Sequence, residues 1–296
     1  VTALVHIVTG KGGTGKTTLS CALGLAYAEL GYKTLVISID FAQNIDDVLG
    51  IKLQDKPREV TRNLFAMRID IDKEIDVYMN EVSKRLSSTF PQWSAYNLDK
   101  YLTILKYMPG VEEHVIVSKL MNILEQCENF DIVVVDTPPT GVAARLLALP
   151  EAMRRWLERL VELRQEIVKL RQALHKLEHE DPILNTLRQD LEKYSKLSNL
   201  LKTSCKISIV TTLEKLPVLE ALRILKVLKE LGLRVHSIVL NKYSESSGRK
   251  VVLDMILREV PSDDVKIVKI PELEEEPQGI DKLSLLKPYV ENLVRT

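Results

Sequence analysis

The stretch Gly10-Lys11-Gly12-Gly13-Thr14-Gly15-Lys16-Thr17-Thr18 constrains what this chain can fold into more than any other part of it. An apolar run at residues 3–8 leads straight into it, and helical periodicity follows over residues 17–30, closed by Gly31. Residues 33–39, Lys-Thr-Leu-Val-Ile-Ser-Ile, are the next buried strand and end at Asp40. Strand, glycine loop, helix and strand make a βαβ unit. Gly12, Gly13 and Gly15 put no side chain in the way, so backbone N–H groups can approach a polyphosphate closely. Lys16 brings a cation to the outer phosphates and Thr17 a hydroxyl to Mg²⁺, with Thr14 and Thr18 in the same loop. The helix that starts here adds its positive end. The spacing therefore predicts a nucleoside triphosphate site.

The same apolar-run signature returns at residues 131–135, 206–211, 235–240 and 265–270, with helical patterns between. That alternation predicts an α/β fold: a mostly parallel sheet flanked by helices, as in P-loop NTPases. Two regions break the rhythm, at about residues 72–107 and 150–203, and both read as helical. In the second, Met153, Trp156, Leu160, Leu163, Ile167, Leu170, Leu174 and Leu177 fall at alternating spacings of 3 and 4, an a/d heptad. Pro182 ends that helix, and Leu184, Leu187, Leu191, Tyr194 and Leu201 continue a stripe on another. The expectation is one P-loop domain over residues 1–296 with an inserted helical subdomain built as an antiparallel coiled-coil hairpin. Its apolar stripe either packs internally or faces a partner.

Composition excludes some roles. The 41 basic residues balance 41 acidic ones and aromatics are 5%, so no nucleic-acid surface is expected. Cys21, Cys127 and Cys205 lie far apart, which argues for reduced core thiols rather than a disulfide framework or a local metal knuckle. No apolar run reaches the length of a membrane span, and the start lacks the features of a signal peptide, so a cytoplasmic chain is expected.

Lys11 exceeds what a simple phosphate loop needs, because Lys16 already serves the bound phosphates. The pattern K-G-G-x-G-K-T resembles the deviant Walker A of dimeric ATPases, in which the leading lysine reaches the partner subunit's nucleotide. Further stretches narrow the likeness. Asp136-Thr137-Pro138-Pro139-Thr140-Gly141, with Arg145-Leu146-Leu147-Ala148-Leu149-Pro150 after it, is similar to the D-T-A-P-T-G-H-T-x-R-x-L-x-L-P signature. Asp40-Phe41-Ala42-Gln43-Asn44-Ile45-Asp46-Asp47 resembles D-P-A-H-S-L-S-D, and Met108-Pro109-Gly110-Val111-Glu112-Glu113 resembles a P-G-x-x-E segment. Together they resemble the family of arsenite-pump ATPases and tail-anchored-protein targeting ATPases.

That resemblance implies ATP hydrolysis with Mg²⁺ held, partly through water, by Thr17, Asp40 and Asp136. It implies Asp47 as the carboxylate that orients the attacking water, with Lys11 and Lys16 as the catalytic cations. Glu214, in Thr211-Thr212-Leu213-Glu214, would contact nucleotide in an assembled homodimer. Asn241 would meet adenine, and Pro271, Glu272 and Leu273 would begin the loop around it. The sequence departs from the pattern at Val142, where the family has histidine, and at Phe41 and Gln43. The zinc-binding Cys-x-x-Cys of many targeting members is absent between Asn241 and Pro271, so no zinc is expected. The implied role is delivery of a client membrane protein, with the helical subdomain meeting the client or a membrane receptor. An arsenite-pump ATPase and a nucleotide-gated interaction module with little turnover are the alternatives.

Overall fold

The structure, a computed structural model, describes residues 3–39, 44–89, 104–126, 129–175, 181–244, 250–260 and 265–295. Among the described residues eight strands form one sheet: β1 (Leu4–Gly10), β2 (Thr34–Ser38), β3 (Arg58–Thr61), β4 (Leu64–Arg68), β5 (Ile132–Asp136), β6 (Cys205–Thr212), β7 (Val235–Tyr243) and β8 (Lys266–Pro271). Their order is β3-β4-β2-β5-β1-β6-β7-β8. All neighbours run parallel except the β3–β4 pair. The central strands are buried end to end, as expected of strands covered on both faces. The chain leaves β1 toward β2 on one side and reaches β6 on the other. The loop after β1 therefore lies at the switch point of the sheet, where open α/β folds bind ligands.

Helices cover both faces. α1 (Lys16–Glu29) and the C-terminal α10 (Lys287–Val294) bury Leu19, Leu23, Tyr27, Val290 and Leu293 against one side of the sheet. Against the other pack α4 (Val111–Gln126), α5 (Thr140–His175), α6 (Pro182–Thr203) and α7 (Lys215–Glu230), through Ile116, Leu146, Leu157, Leu197, Leu201 and Ile224. The remaining helices are α2 (Asn44–Leu49), α3 (Ile71–Thr89), α8 (Lys250–Glu259) and α9 (Ile280–Leu283), with a 3-10 turn at Ser284–Leu286. Asp131–Val135, Lys206–Thr211 and the other apolar runs appear as strands where the periodicity predicts them.

Three features differ from the sequence expectation. The β3–β4 hairpin lay unrecognised because β3 is half exposed and carries no apolar run. The long helix begins at Thr140 rather than near Pro150, giving 36 residues, about 54 Å. Pro150 lies inside it, where it removes one backbone donor from the ladder. The heptad is also not the packing seam. Trp156 (57% exposed), Leu163 (57%), Ile167 (42%) and Leu170 (66%) face outward, whereas Leu157 and Val161 are buried. The seam is displaced by one residue, or about 100° around the helix.

Polar anchors set that displacement. Arg164 donates from Nε and Nη2 to the Asp181 carboxylate, the shortest contact being 2.8 Å, and Asp181 also caps α6 by accepting from Leu184 N at 2.9 Å. Near the other end, Glu151 accepts from Arg154, Arg155, Ser198 Oγ (2.7 Å) and Lys202 Nζ (2.9 Å). The Arg154 guanidinium, with Lys202, Ser198 and Arg155, holds the Glu151 carboxyl far below the usual carboxylate range. Pairing 164 with 181 and 151 with 198 and 202 makes α5 and α6 antiparallel. On α6 the predicted stripe does face inward, with Leu184, Tyr194 and Leu201 buried. Leu174's side chain, Leu177 and the segment 90–103 lie outside the described residues.

The sheet also encloses a polar chain. His6 sits between Tyr27 OΗ (3.1 Å from Nδ1) and Ser208 Oγ (2.8 Å from Nε2), and Ser208 meets Ser237 at 2.7 Å. Burial, with His236 and Lys206 nearby, pushes His6 down from 6.5 to about 3. Burial, Lys206 and Lys266 push His236 down to about 4. Below pH 6.5 the unfolded chain takes up protons that the folded His6 refuses. Stability should therefore fall with pH from 6.5 toward 3, at about 1.4 kcal/mol per pH unit for His6 where the two states differ by a full proton. Urea midpoints measured between pH 7 and pH 4.5 should drop by the equivalent of about 2.5 kcal/mol from His6, and His6→Gln should flatten that part of the slope. A midpoint independent of pH over this range would contradict the burial of a neutral imidazole.

Candidate functional site

The glycine loop connects the buried end of β1 to α1. At Gly10 a Cβ would lie 2.1 Å from Val210 O of the adjacent β6, so the loop departs along a path open to glycine alone. Thr14 donates from Oγ1 to Lys11 O (2.8 Å), which closes the loop on itself, and Lys16 Nζ donates to the same carbonyl at 3.3 Å. Gly12, Gly13, Gly15, Lys16, Thr17 and Thr18 line a cleft of about 1080 Å³. Thr14 is buried and braces the loop from behind.

Behind the loop, Asp136 ends β5 and is fully buried. Its carboxylate accepts from Thr17 Oγ1 (2.8 Å), Ser20 Oγ (3.3 Å) and Ser38 Oγ (3.3 Å). This brings together two of the three predicted metal-site residues, a hydroxyl and a carboxylate in contact at the mouth of a phosphate loop. That oxygen-rich pair suits a hard divalent cation such as Mg²⁺, which takes few direct protein ligands. Asp40 lies outside the described residues, as do Phe41 and Gln43. Burial, with Asp136 adding to it, pushes the Cys21 thiol up, and Cys205 is raised to about 12 by burial, so both are poor nucleophiles. Cys127 lies outside the described residues.

Lys11 points elsewhere. Its ammonium pairs with Glu220 Oε1 on α7 at 3.3 Å, and Glu220 Oε2 accepts from Thr140 Oγ1, the first residue of α5, at 3.0 Å. One carboxylate thus joins the leading lysine to the start of the long helix. Val142, in the first turn of that helix, packs half-buried against the core. Glu214 is the exposed N-cap residue of α7 and is not among the described residues that line the cleft.

Three segments supply much of the rest of the cleft. Asp46, Asp47 and Val48 of α2 form one wall, and Asn241 and Lys242 at the tip of β7 another. Pro271, Glu272, Leu273, Glu274, Glu275 and Glu276 form the third. Gly279 N donates to Val48 O at 2.8 Å, tying the end of that third segment to α2. Asp47, Lys16, Asn241, Pro271 and Glu272 are therefore gathered around one cavity.

Sequence reasoning missed Glu220, Asp46 and the acidic run 274–276. Asp46 carries a buried Oδ1 with no hydrogen-bond partner among the described residues, although its neighbour Asp47 is the exposed residue of the pair. Glu220 looks like any solvent-face helix glutamate. The signal that finds it is topological: β6 neighbours β1, so the first turns of α7 lie beside the phosphate loop.

A mostly parallel sheet, a glycine loop at its switch point and a hydroxyl–carboxylate pair beneath that loop define a P-loop ATPase. The sequence model of the anion-transporting ATPase family matches residues 4–291, and the chain belongs to that family. It is 32% identical over 291 residues to "Putative arsenical pump-driving ATPase 2" of Aquifex aeolicus, covering 95% of this chain and 97% of the relative. It is 30% identical to "ATPase ASNA1 homolog" of Entamoeba dispar, covering 81% and 79%, and 27% identical to "ATPase GET3" of Malassezia globosa, covering 95% and 88%.

Asp136→Asn tests the cation pair. It should leave nucleotide affinity in EDTA near that of the parent and remove most of the gain that Mg²⁺ gives, about tenfold or more, by isothermal titration calorimetry. An unchanged Mg²⁺ response would exclude Asp136 from the site.

Proposed function

We propose that this ATPase works as a homodimer that carries an apolar segment of a client membrane protein and uses ATP to switch between holding and releasing it. The observation that carries this reading is the outward stripe Trp156, Leu163, Ile167 and Leu170. Four large apolar side chains in register on one helix face are a docking surface rather than scattered exposure. The helix that bears them starts at Thr140, bonded to Glu220, which also holds Lys11. Nucleotide site and stripe are therefore linked by one carboxylate and one rigid helix. The relatives' printed names span pump-driving and GET3-type ATPases, in keeping with the family resemblance of the motifs.

In this reading Lys16 and the glycine N–H groups bind the β- and γ-phosphates, and Asp47 holds a water in line with the γ-phosphate. Thr17, Asp136 and Asp40 would hold Mg²⁺, which when bound neutralises charge on the phosphates. Lys11 leaves Glu220 to reach the nucleotide of the second subunit, together with Glu214. Asn241 meets adenine and the segment from Pro271 covers it. The protein acts from the cytoplasm; no described helix is long and apolar enough to cross a membrane.

The second reading, an arsenite-pump ATPase, is favoured by the name of the Aquifex aeolicus relative. As(III) prefers several thiolates at once. Here Cys21 lies in α1 and Cys205 opens β6, on separate elements.

Two variants test the proposal. Leu163→Glu with Ile167→Glu should abolish ATP-dependent capture of a tail-anchored test protein in a pull-down while basal turnover stays within about twofold. Capture at parental level would remove the stripe from the account. Asp47→Asn should lower turnover by about 100-fold or more with ATP binding retained. Turnover equal to the parent would contradict the role given to Asp47, and stimulation of the parent by arsenite would favour the second reading.

A further inference from the structure

The Asn241 side chain does something that reading a base does not require. Its Nδ2 donates to the carbonyl oxygen of Thr14, inside the glycine loop, at 2.8 Å. The next residue shows how closely the two segments approach. A Cβ on Gly15 would lie 2.3 Å from Asn241 Nδ2 and 3.5 Å from its Cγ. Gly15 also has φ +91, in the left-handed region. The loop can pass the asparagine amide in this way only with glycine at position 15.

The direction of that hydrogen bond matters. In a trans peptide the C=O of one residue and the N–H of the next point to opposite sides of one rigid plane. Thr14 C=O turned outward to Asn241 therefore turns Gly15 N–H the other way. Gly15 lines the cleft, so its N–H belongs to the set that can meet phosphate oxygens. On its other side the Thr14 residue is fixed by its hydroxyl on Lys11 O. The 14–15 peptide is thus held at its carbonyl edge by β7, beside a Thr14 side chain tied to Lys11 O.

Asn241 is itself held by a strained strand end. Lys242, directly after it, is a non-glycine residue with φ +52, in the left-handed region that side chains disfavour. The β7–β8 register shifts between Leu240 and Tyr243. Tyr243 then resumes pairing opposite Pro271, with Lys269 Nζ 4.5 Å over its ring and 3.0 Å from its hydroxyl. The strain persists because both sides of the bulge are pinned, and it leaves Asn241 at the loop.

We propose that Asn241 is a positioning residue for the phosphate loop: its bond to Thr14 O aims the Gly15 N–H at the phosphates, so that the base side of the cleft sets the geometry of the phosphate side. The proposal rests on the reading of residues 10–18 as the nucleotide site. It separates two roles that ATP binding alone confounds, because loss of a base contact and loss of loop geometry would both weaken ATP.

Inorganic tripolyphosphate, which has no base, tells them apart. Its affinity in the presence of Mg²⁺ is measured by calorimetry for the parent, Asn241→Ala, Asn241→Asp and Lys16→Ala, with the thermal midpoint of each recorded as a fold control. Asn241→Ala should bind tripolyphosphate about tenfold more weakly, with its midpoint little changed. Asn241→Asp keeps the size of the side chain but sets an oxygen against Thr14 O, and should bind at least as weakly as the alanine variant. Tripolyphosphate binding at parental affinity in Asn241→Ala, with ATP weakened, would make Asn241 a base reader alone and overturn the proposal. Parental binding in Asn241→Asp would overturn it too, since shape rather than the donated hydrogen bond would then be at work. Lys16→Ala should bind tripolyphosphate very weakly. Parental affinity in that variant would overturn the underlying site instead.

Discussion

The carboxylate of Asp136 is the point on which this structure turns. It is fully buried and accepts from hydroxyls on β2 and on two successive turns' worth of α1, at Ser38, Thr17 and Ser20. A buried charge left without partners costs several kcal/mol, so these hydroxyls are required where they are. Their positions fix the start of α1, and with it the glycine loop, against the tip of β5. Every other part of the cleft is measured from that loop: α2 on one wall, Asn241 at its back, the segment from Pro271 across the opening.

A second carboxylate has the opposite character. Lys11 and Glu220 are each about one-third exposed, at 33% and 32%. A pair of that kind contributes about 1 kcal/mol or less, and salt weakens it further. It can therefore be exchanged for a stronger partner, such as the phosphates of a second subunit, at small cost. Asp136 cannot move without unmaking the site; Glu220 can lose Lys11 and keep Thr140. In the proposed dimer this contrast separates a rigid binding floor from a movable link to the long helix. The apolar stripe on that helix lies far from the loop along the sequence but only one carboxylate and one helix away in structure.

Much of this was legible in the chain itself. The loop, its flanking strand and helix, and the parallel α/β class follow from glycine spacing and apolar runs, because local sequence dictates both. Asp136, Thr17 and Asp47 could be named from motif position. The rest required knowing which strands are neighbours. Glu220 becomes meaningful only once β6 is placed beside β1, and the bond from Asn241 to Thr14 joins residues 227 positions apart. Much of the α5 heptad turns outward, one of the two outcomes the sequence leaves open, because a regular stripe and a packing seam are different things. Arg164 on Asp181 and Glu151 among Ser198 and Lys202 hold the helix with Leu157 and Val161 buried instead. The start of that helix was not legible either: it begins at Thr140 and continues through Pro150.

The central claim is that Lys11 exchanges its partner within the chain for the nucleotide of a second copy. The most direct test is the mass in solution, by light scattering after size exclusion, with Mg²⁺ and a non-hydrolysable ATP analogue. The account predicts a species of twice the 33.6 kDa chain for the parent, and a much weaker shift toward dimer for Lys11→Ala. A parent that stays at 33.6 kDa with saturating analogue, or a Lys11→Ala variant that dimerises as the parent does, would contradict it.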